Sequence, residues 1–365
     1  MKFETDYSTI MDRVSNINPV SYGKTRNFVD GDVTYLSPYI SRGVISTRQL
    51  FHQVMEINEP FWKIEKFVQE LAWRDYWQQV WVAKKDLINL DLKRPQPVVL
   101  GKGISESIVA ANTGIEAIDN GIESLYETGY MHNHMRMYVA SVACNVAGAH
   151  WKIPAQWMYY HLFDGDWASN ALSWQWVAGS NAGKRYFANQ ANINKYFHSS
   201  QRRTFLDKGY EELAEMERPA VLDELVQPTL KTSLPESTLT SLDSAKPTLL
   251  YNFYNLDPEW HQGEDANRVL LLEPSIFHQY PISDKSMDFM LGLAKNIDGI
   301  EIFVGEFDEL VDEFQPGAIH YKEHPLNLLY TGNIESRDWM FEVTGYYSSF
   351  FAFWKKCKKQ LKQYA

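Results

Sequence analysis

Between residues 36 and 180 the apolar side chains recur at three- and four-residue spacing, and the period-two alternation that marks strands is almost absent. A stretch of this length with this period folds as helix packed on helix. Ile64, Phe67, Val68, Leu71 and Val80 form one stripe between Phe61 and Ala83, and Ile115, Ile118, Ile122 and Leu125 form another that ends near Gly129. Each predicts a helix with one buried face. Ser46-Thr-Arg-Gln49 has the spacing of a capping box, and Ser37-Pro38 reads as an N-cap followed by proline at the first helical position. Nine of the 12 tryptophans fall before residue 200. Tryptophan is a poor core filler unless its ring or N–H has a partner, so this density points beyond packing.

The second half reads differently. Residues 218–247 are rich in Pro, Ser, Thr and Leu without a steady period, the composition of a linker or a surface-wrapping segment. The expected division is therefore a helical domain over 1–217, a linker over 218–247 and a further domain over 248–365. Short apolar runs follow at 248–256, 269–277, 300–307 and 318–324, with a helix-like stretch over Asp284–Ile297. Strands alternating with helix predict a small parallel sheet. Residues 338–363 read as one long final helix with a basic end. The fold class is mainly α, a helical domain followed by a small C-terminal α/β domain.

Charge separates the halves as well. Lys+Arg against Asp+Glu is 19 against 19 over residues 1–200 and 16 against 27 over 201–365, so all of the net charge of −11 lies in the second half. That balance argues against coating nucleic acid by bulk charge and leaves a local basic groove on the neutral half, with Lys24, Arg26, Lys184 and Arg185 as candidate cations. The acidic half is a candidate surface for a protein partner. No apolar run of about 18 residues is present, so no membrane span is expected. The N-terminus lacks a secretory pattern, and Cys144 and Cys357 are too few for a disulfide or cysteine-based metal framework. A reducing, cytoplasmic location is the expectation.

Several familiar motifs fail. Gly179-Ser-Asn-Ala-Gly183-Lys184 lacks the spacing, the Ser/Thr and the preceding strand of a phosphate loop, and neither G-x-G-x-x-G nor G-x-S-x-G occurs. His132 and His134 have no matched acidic or cysteine ligands nearby, so no metal is expected. Four clusters remain. Glu70 and Arg74 share a helix face beside Trp73 and Trp77, and the polar Asn133 and Arg136 sit within an otherwise apolar helix. Buried Arg and Asn require partners, which Asp164, Asp166 and Asn170 can supply. Trp174-Gln175-Trp176, with Trp151 upstream, adds large rings. On periodicity alone these clusters divide evenly between structure and site.

The strings LSPYISRG (36–43), QELAWRDYW (69–77), TGIEAID (113–119), TGYMHNHMRM (128–137), DGDWASN (164–170) and WQWVAGS (174–180) resemble, in order and at similar spacing, the FAD-binding helical domain of the photolyase/cryptochrome family. The resemblance covers roughly residues 20–190. It implies an all-helical bowl that holds FAD, with DNA carrying UV lesions as the expected partner. By position, Thr34, Leu36 and Ser37 match the diphosphate-binding stretch, where backbone N–H groups at a helix start suit an anion. Tyr22 with Arg26, and Phe67, match FAD-proximal positions, and Arg74, Asn133 and Arg136 with Asp164 match flavin-side polar contacts. Asp166 matches a ribityl or flavin-edge contact, and Asn170 the residue facing flavin N5, where Asn leans toward a photolyase. Glu70, Trp73, Asn133 and Met137 match catalytic or lesion-cavity positions, Glu70 to hydrogen-bond a flipped pyrimidine and Trp73 to stack on it. Trp174 and Trp151 match the inner members of the electron-transfer tryptophan chain.

Departures accompany the resemblance. No Trp lies between Lys84 and His150, where the family's terminal donor falls, so Trp157 or Tyr159 completes the route or photoreduction is impaired. His134 stands where DNA-binding relatives often carry Arg. The stretch after Gly183 resembles the bacterial iron–sulfur type without its cysteines, so no cluster is expected. The run VLLLEPSIFHQYPISDKSMDFMLGLAKNI faintly resembles part of the α/β antenna domain with which photolyases begin, which implies a permuted, reduced version of it over 246–365. The function implied is light-driven repair of pyrimidine dimers by electron transfer from reduced FAD; the alternative is a cryptochrome-like blue-light photoreceptor without repair.

Overall fold

A computed structural model describes residues 2–361. The chain divides into two compact units, one of residues 20–33 and 84–230, the other of 2–19, 34–83 and the described residues from 231 onward. This differs from a division at 218–247, because residues 34–83 associate with the C-terminal half. Residues 218–230 stay with the first unit and 231–247 with the second.

The first unit is helical. The apolar stripe at 115–125 forms the helix Glu116–Thr128, stopped by Gly129 in the left-handed region at φ 69°, with its N–H returned to Leu125 O. The helices Asn133–Ser141, Lys152–His161 and Trp167–Ala178 follow, and the first runs into a π-helical turn over Val142–Val146. A short antiparallel pair joins β1 (Ile104–Ser105) to β2 (Leu225–Val226).

The second unit combines helices with a sheet. Its longest helix is Phe61–Lys84, where Ile64, Phe67, Val68, Leu71 and Val80 are buried as their spacing requires. Ser46 and Gln49 form the expected capping box of the helix Thr47–Glu56. Ser37 is a helical residue rather than the N-cap: the helix Ser37–Ser41 starts after Leu36, which offers no side-chain cap, and Pro38 takes the first turn.

The strands are β3 (Thr248–Tyr251), β4 (Asn267–Leu272), β5 (Ile300–Val304), β6 (Ile319–Lys322) and β7 (Asn333–Glu335), in the order β5-β4-β3-β6-β7. Every pairing is parallel, as expected for the α/β portion. The first strand sits inside the sheet and the order reverses between β3 and β6, which makes the sheet doubly wound. Leu250, Val269, Leu271, Phe303, Ile319 and Tyr321 form a core on one face, under Phe307 and Leu310. Part of the linker-like segment closes the β5 edge. The Thr238 and Leu239 N–H groups donate to Ile302 O, the Val304 N–H donates to Ser237 Oγ, and Leu239 enters the core.

The switch between β3 and β6 is where the Ser37–Ser41 region meets the sheet. Gly43 has φ +66°, and a Cβ there would lie 2.3 Å from Tyr254 O. That close approach excludes any side chain, and it brings the fully buried Arg42 guanidinium to 3.3 Å from the Phe253 ring centroid.

The final helix is shorter than the sequence predicts. It spans Phe350–Leu361, and residues 362 and 363 of the expected helix lie outside the described residues. Gly345 at φ +93° interrupts the chain before it, and Ser349 Oγ accepts from the Ala352 N–H at the helix start. Residues 338–349 instead run along the Phe61–Lys84 helix. The Met340 N–H donates to Asp75, the Gly345 N–H to Gln79, and the Tyr76 hydroxyl to Tyr347 O.

Candidate functional site

The residues expected at the site fall on both units. On the first, Arg136 projects from the first turns of Asn133–Ser141. Its Nη2 meets Asp164 Oδ2 at 2.9 Å and its Nε donates to Met131 O at 2.8 Å. The Asp164 carboxylate is 4% exposed and the Arg136 side chain 19%, so the pair is largely desolvated. Its geometry comes from a loop, because Asp164 lies just before the N-cap of the helix Trp167–Ala178. That cap is Asp166, which accepts from the Ser169 N–H at 2.7 Å. Asp166 is thus committed through one oxygen to holding the helix. Asn170, one turn on, donates from Nδ2 to Ala155 O at 2.7 Å, which fixes its amide plane. Asn133 is exposed and Met137 half-buried on the same helix as Arg136. Tyr22 is half-buried, and Arg26, one turn later, donates from Nη1 to Gly23 O.

Trp151 and Trp174 are buried, and the Trp151 indole N–H donates to Asp91 at 2.8 Å. Trp157 and Tyr159 are equally buried, the former donating to the Tyr126 hydroxyl, so neither reaches solvent. Trp176 does: it is 39% exposed, with its ring centroid 5.8 Å from that of Tyr186. His132 and His134 are half-buried; burial pulls the first down to about 4 and lowers the second, so both are neutral near pH 7. The His134 ring packs against Tyr138 and Tyr196.

On the second unit, Phe67 and Leu36 are buried, and Thr34 Oγ1 faces the Leu36 N–H at 3.4 Å. Ser37 begins the helix Ser37–Ser41, and Arg74 Nη1 donates to Ser41 Oγ at 2.6 Å. Glu70 pairs with Lys66 at 3.3 Å, one turn back on the same helix. Trp73 lies between aromatic neighbours, with Trp77 at 5.2 Å, Tyr76 at 5.7 Å and Phe350 stacked on it at 3.8 Å and 10°. No local sequence signal marks this last contact, since Phe350 comes from the distant final helix. One face of the ring expected to receive a nucleobase is therefore covered by the protein itself. Asp75, next to Arg74, is fully buried between Thr47 Oγ1 at 2.8 Å and the Met340 N–H at 2.9 Å. Burial raises its pKa to about 6, against the opposing effect of those two donors.

The donors on the first unit fit a flavin. A fixed guanidinium sits beside a buried carboxylate, an oriented amide follows at Asn170, and Ser169 Oγ is buried with no hydrogen-bond partner among the described residues. No helix among the described residues is long and apolar enough to cross a membrane.

Comparison with known proteins agrees with the motifs. Residues 67–237 match the family described as the FAD binding domain of DNA photolyase. A deoxyribodipyrimidine photo-lyase of Streptomyces griseus is 34% identical over 158 residues, 42% of this chain and 34% of its own. A cryptochrome DASH of Ostreococcus tauri is 31% identical over 187 residues, 48% of this chain and 33% of its own. Among solved structures, a Synechocystis cryptochrome aligns with TM-score 0.48 and 23% identity, covering 54% of this chain and 44% of the other. The chain spans about a third of the length of the curated relatives it matches.

Proposed function

We propose that this chain, in which residues 67–237 match the FAD binding domain of DNA photolyase, is a light-driven flavoprotein that repairs pyrimidine dimers in UV-damaged DNA. The observation that carries the reading is the desolvated Arg136–Asp164 pair, with the amide-fixed Asn170 following it in the motif order of that family. When bound, reduced FAD supplies a photoexcitable electron donor. The protein's own part is to hold and orient. Arg136, positioned by Asp164 and Met131 O, would hold the cofactor's polar edge with its remaining N–H groups, and the amide of Asn170, fixed on Ala155 O, would offer a further polar contact to it. Glu70 offers a carboxylate to a pyrimidine edge, and Trp73 offers a ring for stacking. Trp151 and Trp174 form the buried part of a reduction route, and Trp176, against Tyr186, gives it a solvent-facing end.

A second reading is favoured by one contact. Phe350 already stacks on Trp73, and a photoreceptor with a closed cavity and an acidic surface for a protein partner would keep it there. The test is to reduce the flavin-loaded protein, illuminate it with UV-damaged single- and double-stranded oligonucleotides, and follow lesion loss. Light-dependent loss supports repair. A flavin that photoreduces while both substrates stay intact supports the photoreceptor.

A further inference from the structure

Away from the flavin motifs, three half-buried side chains converge beside β6 and β7, on the face of β6 opposite Ile319 and Tyr321. His320 stands on β6, Glu335 on β7 beside it, and His261 in the turn between β3 and β4. A single carboxylate oxygen, Glu335 Oε1, lies 2.8 Å from His261 Nε2 and 3.2 Å from His320 Nδ1. All three atoms lie within 4.8 Å of one another. Ligand atoms about 2.0–2.1 Å from a tetrahedral zinc ion stand roughly 3.4 Å apart, so two edges of this triangle are already near that length.

We propose that His261, His320 and Glu335 form a binding site for a divalent transition-metal ion of the zinc class. What separates the cluster from an ordinary charged contact is the set of groups behind it. The other nitrogen of His261, Nδ1, lies 2.7 Å from Glu264 Oε1, and a proton held there leaves the Nε2 lone pair free for a metal. The second oxygen of Glu335 accepts from the Trp260 indole N–H at 2.8 Å, which turns Oε1 toward the two rings. The outer nitrogen of His320 faces the Asn333 side-chain amide at 3.3 Å, and rotation of that amide supplies the acceptor a metal-bound imidazole needs. Each ligand thus has an orienting partner, the arrangement that tunes protein zinc sites. The nearby cation Lys322 is countered by Asp257 at 2.9 Å and Asp338 at 3.2 Å.

Two neutral imidazoles and one carboxylate leave the bound ion with one net positive charge and an open fourth position. The ligand side chains are between a fifth and a third exposed, so water fills that position. Zinc there clamps the β3–β4 turn to the β6 and β7 strands.

The test is titration of the chelator-treated, flavin-loaded protein with zinc sulfate, read by calorimetry and by metal content after dialysis. One zinc per chain is expected, with affinity falling at least about a hundredfold in H261A and in H320A. E264Q, at an exposed orienting residue, should lose about 10–100-fold and keeps the test open should a ligand variant misfold. H278A, on an exposed helix position, should bind as the parent does. A parent that retains no zinc after dialysis, or an E264Q and an H261A/H320A variant that bind as tightly as the parent, would overturn the site.

Discussion

Asp75 is a buried carboxyl whose cost can be measured. Burial lifts its pKa from 3.8 to about 6, so the folded protein holds this proton more tightly than the unfolded chain does. The contribution to stability is therefore fully present below pH 3.8 and is lost as pH rises through 6. With 1.36 kcal/mol per pKa unit, the charged group costs about 1.6 kcal/mol at pH 5 and about 3 kcal/mol at pH 8. In Asp75→Asn the amide carbonyl can accept from the Met340 N–H and the amide nitrogen can donate to Thr47 Oγ1, so both contacts survive without the charge. Urea unfolding of both proteins at the two pH values isolates the residue, because every other titrating group cancels in the difference. The Asn variant should gain on the parent by about 1.4 kcal/mol more at pH 8 than at pH 5. A difference independent of pH, or one that shrinks as pH rises, would refute the assignment of a buried carboxyl with a raised pKa.

Two further outcomes bear on the flavin site. Asp164→Ala leaves the Arg136 guanidinium without its carboxylate, a loss of about 3–5 kcal/mol for a desolvated pair, and should lower the flavin-to-protein absorbance ratio; a ratio equal to the parent's would count against the pair's role. Phe350→Ala uncovers one face of Trp73, and since stacking a base on an aromatic ring is worth about 1–3 kcal/mol, it should tighten binding of a UV-damaged oligonucleotide by roughly tenfold in fluorescence anisotropy. Unchanged affinity would mean that Phe350 and a base do not compete.

What the sequence made legible was local. The stripe of the Phe61–Lys84 helix, the Ser46 capping box, the Gly129 stop and the parallel strands each follow from residues within a few positions of one another. The Arg136–Asp164 pair also followed, because a buried guanidinium demands a carboxylate and the family resemblance matched these two positions. The rest depends on chain-distant contacts. β7 is three mostly exposed residues with no apolar run, visible as a strand only through its partner β6. The final helix reads as longer because apolar positions occur back to Trp339, yet that segment covers Asp75 and Gln79 instead. The His261–Glu335 contact spans 74 residues, so no ligand spacing betrays it. Association of 34–83 with the C-terminal half has no local signal at all.

The association of residues 34–83 with the C-terminal half also orders folding in time. Asp75 and the backbone amide of Met340 that covers it are separated by 265 residues. At a synthesis rate of about 5–20 residues per second, the Trp-rich helix leaves the ribosome roughly 13–53 seconds before its covering segment exists. During that interval Trp73, Tyr76 and the carboxyl of Asp75 lack their final neighbours. A nascent chain built this way invites protection by a chaperone, and its yield in a cell should depend on how quickly translation reaches the end.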